Sequence, residues 1–295
     1  MANKPIKVSL ASEKDRYQTV FKALDEIFAD ISDKIYRLDP KKDYILIKPN
    51  CIDTKSQAAV THVDALRAFL DFILPVWQGR IIIAEGSGLG NTLEAFKNFR
   101  YLELKSMYSN LEFLDLNYAD SICIDAYDKN LKPMQIRISN TVAEAPFRIS
   151  IGPPKTHDSV IVTLSIKNMA VGSILKEDKM KIHQGIKAIN RTIAEINNYT
   201  FPHLSVIDGW ISMEGNGPID GQEIETHFAV ASMNCLAADV FVTEKMGFNP
   251  IQVGYLNYLG ALKIQKSIQS VGGDHKNFNF HFKHPDTYLE QIQWN

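Results

Sequence analysis

The chain is poor in cysteine. It has three in 295 residues, Cys51, Cys123 and Cys235, far apart and odd in number. With no C-x-x-C pair, a zinc ribbon or a ferredoxin-type cluster segment is excluded, and no iron–sulfur cluster is expected. The same scarcity predicts a reduced, cytoplasmic setting. Long apolar runs are missing too. None approaches the roughly 20 residues that span a bilayer, and the N-terminal MANKPIKVSLASEKDRYQ has no apolar signal-peptide core, so no membrane partner is expected. Charge of one sign is also lacking. Lys+Arg 32 against Asp+Glu 34 leaves a net charge of −2, which gives no reason to expect a nucleic-acid partner and leaves a small charged substrate compatible. Internal repeats and low-complexity tracts are absent. Hydrophobic residues make up 45% of the chain, enough for a true core.

Strand-like segments at 6–10, 43–50, 80–88 and 111–116 alternate with amphipathic helical patterns at 16–31, 63–77 and 91–104. Several of these strands are continuously apolar. Together the two features predict an α/β fold, with a parallel or mixed sheet flanked by helices and two lobes with a cleft between them. Further strands are expected at 134–139, 147–152, 203–210 and 227–232, and further helices at 186–199 and 234–247. The periodicity of 158–166 fits both a strand and the start of a buried helix. The polar-aromatic stretch 271–286 reads as turn-rich. The expected division is an N-terminal lobe of 1–140 and a second lobe of 141–295.

Four places carry chemistry. The loop EGSGLGN (85–91) joins a strand to a helix, and Gly86 and Gly88 free backbone N–H groups to face an anion. A dinucleotide fingerprint would need glycine where Asn91 stands, so a tight turn lining a ligand crevice is the plainer reading. KPNCID (48–53) puts Lys48 and Asn50 just past a strand end, where open α/β sheets place their sites; a proline turn is the alternative. DGWISMEGNGPIDG (208–221) reads as a glycine-rich loop in which Asp208, Glu214 and Asn216 offer oxygens to substrate or ion. The densest set lies between 152 and 185. His157 and His183 each suit a general base or a metal ligand. Lys167, inside VTLSIKNMAV, is poorly placed for full solvation, and a buried lysine becomes a nucleophile. The plainer alternative is a snorkelling lysine with two surface histidines. The charge run Lys176 to Lys181 reads as a solvated turn.

PKTHDSVIVTLSIKNMAVGSI and DGWISMEGNGPIDG resemble the two motif blocks of the domain-of-unknown-function family numbered 362, with KPN and AEGSG fitting its N-terminal half. Many members carry an appended ferredoxin-like segment, which this chain lacks. More distantly, the spacing of ten from His157 to Lys167 and sixteen from Lys167 to His183 resembles nickel-pincer lactate racemases. That resemblance implies a pincer nucleotide anchored at Lys167, with Asn168 beside it, and nickel or another divalent metal at His183. It also implies proton transfer by His157 and by His62 of VTHVD. Departures are LSI where racemases carry small residues before the lysine, and KPNCID in place of an acid–arginine motif.

The expected protein is an enzyme of isomerase (racemase- or epimerase-like) or oxidoreductase type, acting on a small polar, hydroxy-acid-like substrate. Two alternatives stay open: a cofactor-free Lys/His lyase, and a non-catalytic anion- or nucleotide-binding protein. The substrate, the cofactor and the oligomeric state are not set by the sequence.

Overall fold

The computed structural model describes residues 5–273 and 278–295. The turn-rich reading of 271–286 includes residues 274–277, which lie outside the described residues. The chain begins with β1 (Ile6–Ala11), α1 (Arg16–Asp25) and α2 (Phe28–Ile35). Then come β2 (Tyr44–Pro49), α3 (Val63–Ile73), β3 (Arg80–Glu85), α4 (Thr92–Asn98) and β4 (Leu111–Asp115). The strands β2, β3 and β4 are parallel neighbours, joined by crossovers through α3 and α4. β5 (Ser121–Tyr127) and β6 (Pro133–Ser139) form a separate antiparallel pair, which the sequence reading caught only in its second strand. The next elements are α5 (Asn140–Ala143), β7 (Phe147–Gly152), β8 (Lys155–His157), β9 (Ile161–Thr163), α6 (Ser165–Gly172) and α7 (Ile186–Thr200). After them run β10 (Leu204–Glu214), β11 (Gln222–Ser232), α8 (Cys235–Lys245), α9 (Gly254–Tyr258), α10 (Ala261–Ile264), β12 (Ile268–Gly272) and α11 (Tyr288–Gln291).

The main sheet runs in the order β12-β1-β11-β10-β7-β2-β3-β4, mostly parallel, with β11 antiparallel to both of its neighbours. Strands from both sides of residue 140 share it, since β7 lies between β2 and β10. Helices cover both faces. Ile45 and Ile47 of β2 point into a core with Leu66 and Phe69 of α3, while Leu46 between them packs against Met169 of α6. On that second face, Ile166, Ile193 and Val240 pack with Ile207 and Val230. Each such buried aliphatic chain contributes about 1.5–3 kcal/mol, and burial on both faces is why these strands read as unbroken apolar runs.

Three expectations change. The helix predicted over 16–31 breaks at Ile27, which leaves helical geometry (φ −122°, ψ 21°), and a second helix carries Ile31 and Ile35 into the core. The ambiguous 158–166 is both things in succession, the strand Ile161–Thr163 and then the first turn of α6. The first half of the expected loop 208–221 is strand: β10 runs to Glu214 and β11 starts at Gln222, with a bulge between Gly209 and Ile211.

Candidate active site

The carboxyl ends of β2 and β3, with Lys155 of β8 and Thr163 of β9, meet α6 in one pocket that opens to solvent. This is the crevice that open α/β sheets offer to ligands. Lys48, Asn50, Gly86, Gly88, Lys167 and Asn168 all line it. Lys155 and Lys179 line it as well, and the sequence reading assigned neither to a site.

Lys48 ends β2 fully buried. Its ammonium lies 2.5 Å from Glu85 Oε2 and donates to Asn168 Oδ1 at 2.9 Å. Burial lowers its pKa, and Glu85 opposes that shift. Gly172, the last residue of α6, makes the crossing: a Cβ there would stand 2.0 Å from Lys48 Cε. Asn168 donates in turn to Ser150 Oγ at 2.9 Å, so it aligns Lys48 and keeps no free group of its own.

Lys155 is also fully buried. It donates to Asn50 Oδ1 at 3.0 Å and to the Ala59 carbonyl at 2.5 Å. Burial, then the charge of Lys167, push its pKa down to about 7. Lys179, expected in a solvated turn, is buried instead. It donates to the Ile174 carbonyl, and burial lowers its pKa to about 7. The rest of that run is tied down too. Lys176 donates to the Gly88 carbonyl at 2.8 Å, and the buried Asp178 accepts from Arg137 and Lys181. A run of charges therefore folds over the Gly86–Gly90 loop.

Lys167 lies one turn into α6, 6% exposed, with its amine facing the pocket. Among the described residues it has neither a hydrogen-bond partner nor a carboxylate within salt-bridge distance. Burial pushes its pKa down to about 8, with Asp158 opposing. The N-cap residue of α6, Leu164, supplies no side-chain bond. Buried Asp239 of α8 does so, accepting from Ser165 N at 3.1 Å and Ile166 N at 2.9 Å. That fixes the turn carrying Lys167. Asp239→Ala is expected to cost about 2–4 kcal/mol in urea unfolding, because two buried N–H groups lose their acceptor. Asp239→Asn, which keeps one acceptor oxygen, should recover more than half of that loss.

The histidines divide. His157 is buried at the end of β8, its carbonyl bound by Gln291 Nε2 at 3.0 Å. Burial, then Lys167, lower its pKa to about 3. Its Nδ1 lies 3.0 Å from Ser159 N–H and 3.0 Å from Asp158 Oδ1, so this nitrogen is engaged by its neighbours. His183 is exposed, and packing around its ring, then Lys167, lower its pKa. Neither histidine lines the pocket, but both feel the charge of Lys167. His62 lies apart. It caps α3, accepting Asp64 N–H at 3.1 Å, and the charges acting on it are Arg16, Asp64 and Arg100.

The side chains expected to form a substrate or ion loop have protein partners. Asp208 is buried on β10 and paired with Arg16 (3.1 Å). Glu214 accepts from Lys283 N at 2.9 Å, and Asn216 exchanges bonds with Asp286. Arg16 of α1 and the C-terminal segment have taken these groups, and the hairpin offers only Pro218 to the pocket. In the glycine loop, three backbone donors have partners of their own. Gly86 N–H donates to Glu85 Oε1, Ser87 N–H to Thr92 Oγ1 and Leu89 N–H to Ile52 O. Those donors turn inward, so lysine side chains supply the positive charge in the loop's place. Among the described residues no three His, Cys, Asp or Glu side chains gather to hold a metal ion, and no helix is long and apolar enough to cross a membrane.

A solved lactate racemase apoprotein from Thermoanaerobacterium thermosaccharolyticum shares this fold at TM-score 0.53 and 15% identity. The match covers 82% of this chain and 57% of that one. A structural-genomics protein from Thermotoga maritima aligns at TM-score 0.43 and 12% identity, over 85% of this chain and 60% of its own. A thylakoid-associated protein of Synechocystis sp. is 22% identical over 218 residues, 72% of this chain. The chain spans 65% of that protein's length. Residues 45–244, which hold every pocket lysine, match the family described as Domain of unknown function (DUF362), and the chain belongs to that family.

Proposed function

We propose that this protein is an enzyme acting on a small hydroxy-acid-like anion, with Lys167 as the point of covalent attachment in its pocket. The observation that carries the reading is the state of that amine: buried, lowered to about 8, and unpartnered among the described residues. An amine in this state is a nucleophile near neutral pH. The other pocket lysines favour an anionic partner. Proton or hydride transfer is the reaction class we propose, on a scaffold shared with a lactate racemase apoprotein.

The residues fit an organic cofactor better than a free metal. An anionic group bound through Lys167 would find cations on several sides. A metal held by protein side chains alone does not fit, since His183 has no second His, Cys, Asp or Glu grouped with it as a metal site among the described residues. Such a cofactor would supply a hydride acceptor, while Lys167 anchors it and the lysine ring excludes bulk water.

A second reading shares the same amine: an imine formed directly between Lys167 and a 2-oxo acid, as in a cofactor-free lyase. Intact mass and peptide mapping of protein purified from its native host test the first reading, with an adduct expected on Lys167. If the lysine is unmodified, borohydride treatment with pyruvate should add mass at Lys167 and establish the second. Absence of both signals overturns the covalent role.

A further inference from the structure

The pocket holds four lysines, Lys48, Lys155, Lys167 and Lys179, against one carboxylate, Glu85. Glu85 is claimed by Lys48 at 2.5 Å. Lys155 and Lys179 are held only by neutral oxygens, and Lys167 by none among the described residues. Asp158, the nearest acid to act on Lys167, accepts from Ser159 Oγ at 2.8 Å and lies against His157. Three buried cations without counter-ions are costly unless an anion completes the site. An independent feature points the same way. Thr163 lines the pocket, is 3% exposed, and its hydroxyl has no partner. It stands opposite Lys155 in the β8–β9 pair, so hydroxyl and ammonium come from adjacent positions on one ladder.

We infer that the pocket takes a dianionic oxyanion, the phosphate head of a small phosphomonoester, gripped by Lys155 and Lys179 with the Thr163 hydroxyl, beside Lys167. The inference rests on the proposed reading of this pocket as a substrate site and narrows it to phosphorylated substrates. A lone carboxylate would answer one of the three charges. A phosphomonoester brings two charges and three acceptor oxygens, which suits several ammonium donors and a hydroxyl. The pocket, bounded by β-strand ends and α6, suits the head of a small molecule and not a polymer.

Binding of such an anion must be linked to protons. The amines of Lys155, Lys179 and Lys167 lie lowered to about 7, 7 and 8. A bound dianion raises all three, so protons are taken up, and affinity falls as pH rises through that window. Other groups facing these amines are Glu85 from β3, Lys48 from β2, Asp158 after β8, Lys176 beside Lys179, and Asp115 after β4. His157 and His183 also feel the charge of Lys167, and burial raises the pKa of Cys51 and keeps it a neutral thiol.

Sulfate, a dianion across this pH range, is the probe. Calorimetry on the full chain at constant ionic strength should show sulfate and inorganic phosphate binding about tenfold or more tightly than acetate. Sulfate should bind about tenfold more tightly at pH 6.5 than at 8.5, with net proton uptake. Thr163→Val removes a hydroxyl that has no partner, so the fold should be kept while sulfate affinity drops about fivefold. Lys179→Met should lower it at least about tenfold. Sulfate binding no better than acetate, or unchanged in both variants, overturns the inference. If a Lys167 adduct or trapped imine is found without sulfate preference, only the phosphate assignment fails. Sulfate preference with neither adduct nor trap supports the anion site and removes the covalent enzyme.

Discussion

Lys167→Ala is expected to lower turnover of a 2-hydroxy acid by about a thousandfold or more, equivalent to about 4 kcal/mol of lost transition-state stabilisation. Stability should move by less than about 1 kcal/mol. The two expectations separate because the amine forms no bond with the described residues, so its removal breaks nothing. It also relieves the burial of a charge. Lys167→Arg should be nearly as inactive, since it keeps a cation and loses the nucleophile. The arginine variant thereby divides attachment from electrostatics. An alanine variant with activity near that of the wild type removes Lys167 from the chemistry. A steep loss of Tm, with residual activity tracking the folded fraction, makes it a structural residue.

Lys167 was legible because a charge inside VTLSIKNMAV breaks an apolar pattern that otherwise demands burial. Lys48 and Asn50 were legible from their place after a β-strand. The alternating strand–helix pattern likewise sufficed for the mixed α/β sheet. Lys155 was hidden. In PPKTH it sits among prolines and polar residues, and its pairing with Met213 and Thr163 and its bonds to Asn50 and Ala59 are what seal it in. Lys179 was hidden for the opposite reason. Five charges in six residues look solvated, and burial of one depends on Gly86, where a Cβ would stand 3.0 Å from Lys179 Nζ. Asp208, Glu214 and Asn216 misled because a glycine-rich composition is shared by loops and by bulged hairpins. Their partners Arg16, Lys283 and Asp286 are distant in sequence. Local pattern reports which residues prefer burial. It does not report which long-range contact fills a polar atom.

The pocket's floor supplies the largest expected loss of stability. Glu85→Ala should cost about 3–5 kcal/mol at pH 7, the usual penalty when one partner of a buried ion pair is removed. Lys48 would remain buried with Asn168 Oδ1 and the Pro49 carbonyl as acceptors and no counter-charge. Gly86 N–H would lose its acceptor as well. Lys48→Met in the same chain should recover much of the loss, because a matched apolar chain needs no counter-ion. The double-variant cycle then reads the coupling directly. The pH dependence has a fixed sign. Burial already lowers the pKa of Lys48, and without Glu85 it falls further below its unfolded value. The unfolded chain then binds the extra proton, so the stability of Glu85→Ala rises with pH relative to wild type, up to about 10.4. Urea unfolding at pH 7 and pH 9.5 should show the deficit shrinking. A constant deficit would mean that the lost hydrogen bond to Gly86, and not the stranded ammonium, sets the cost.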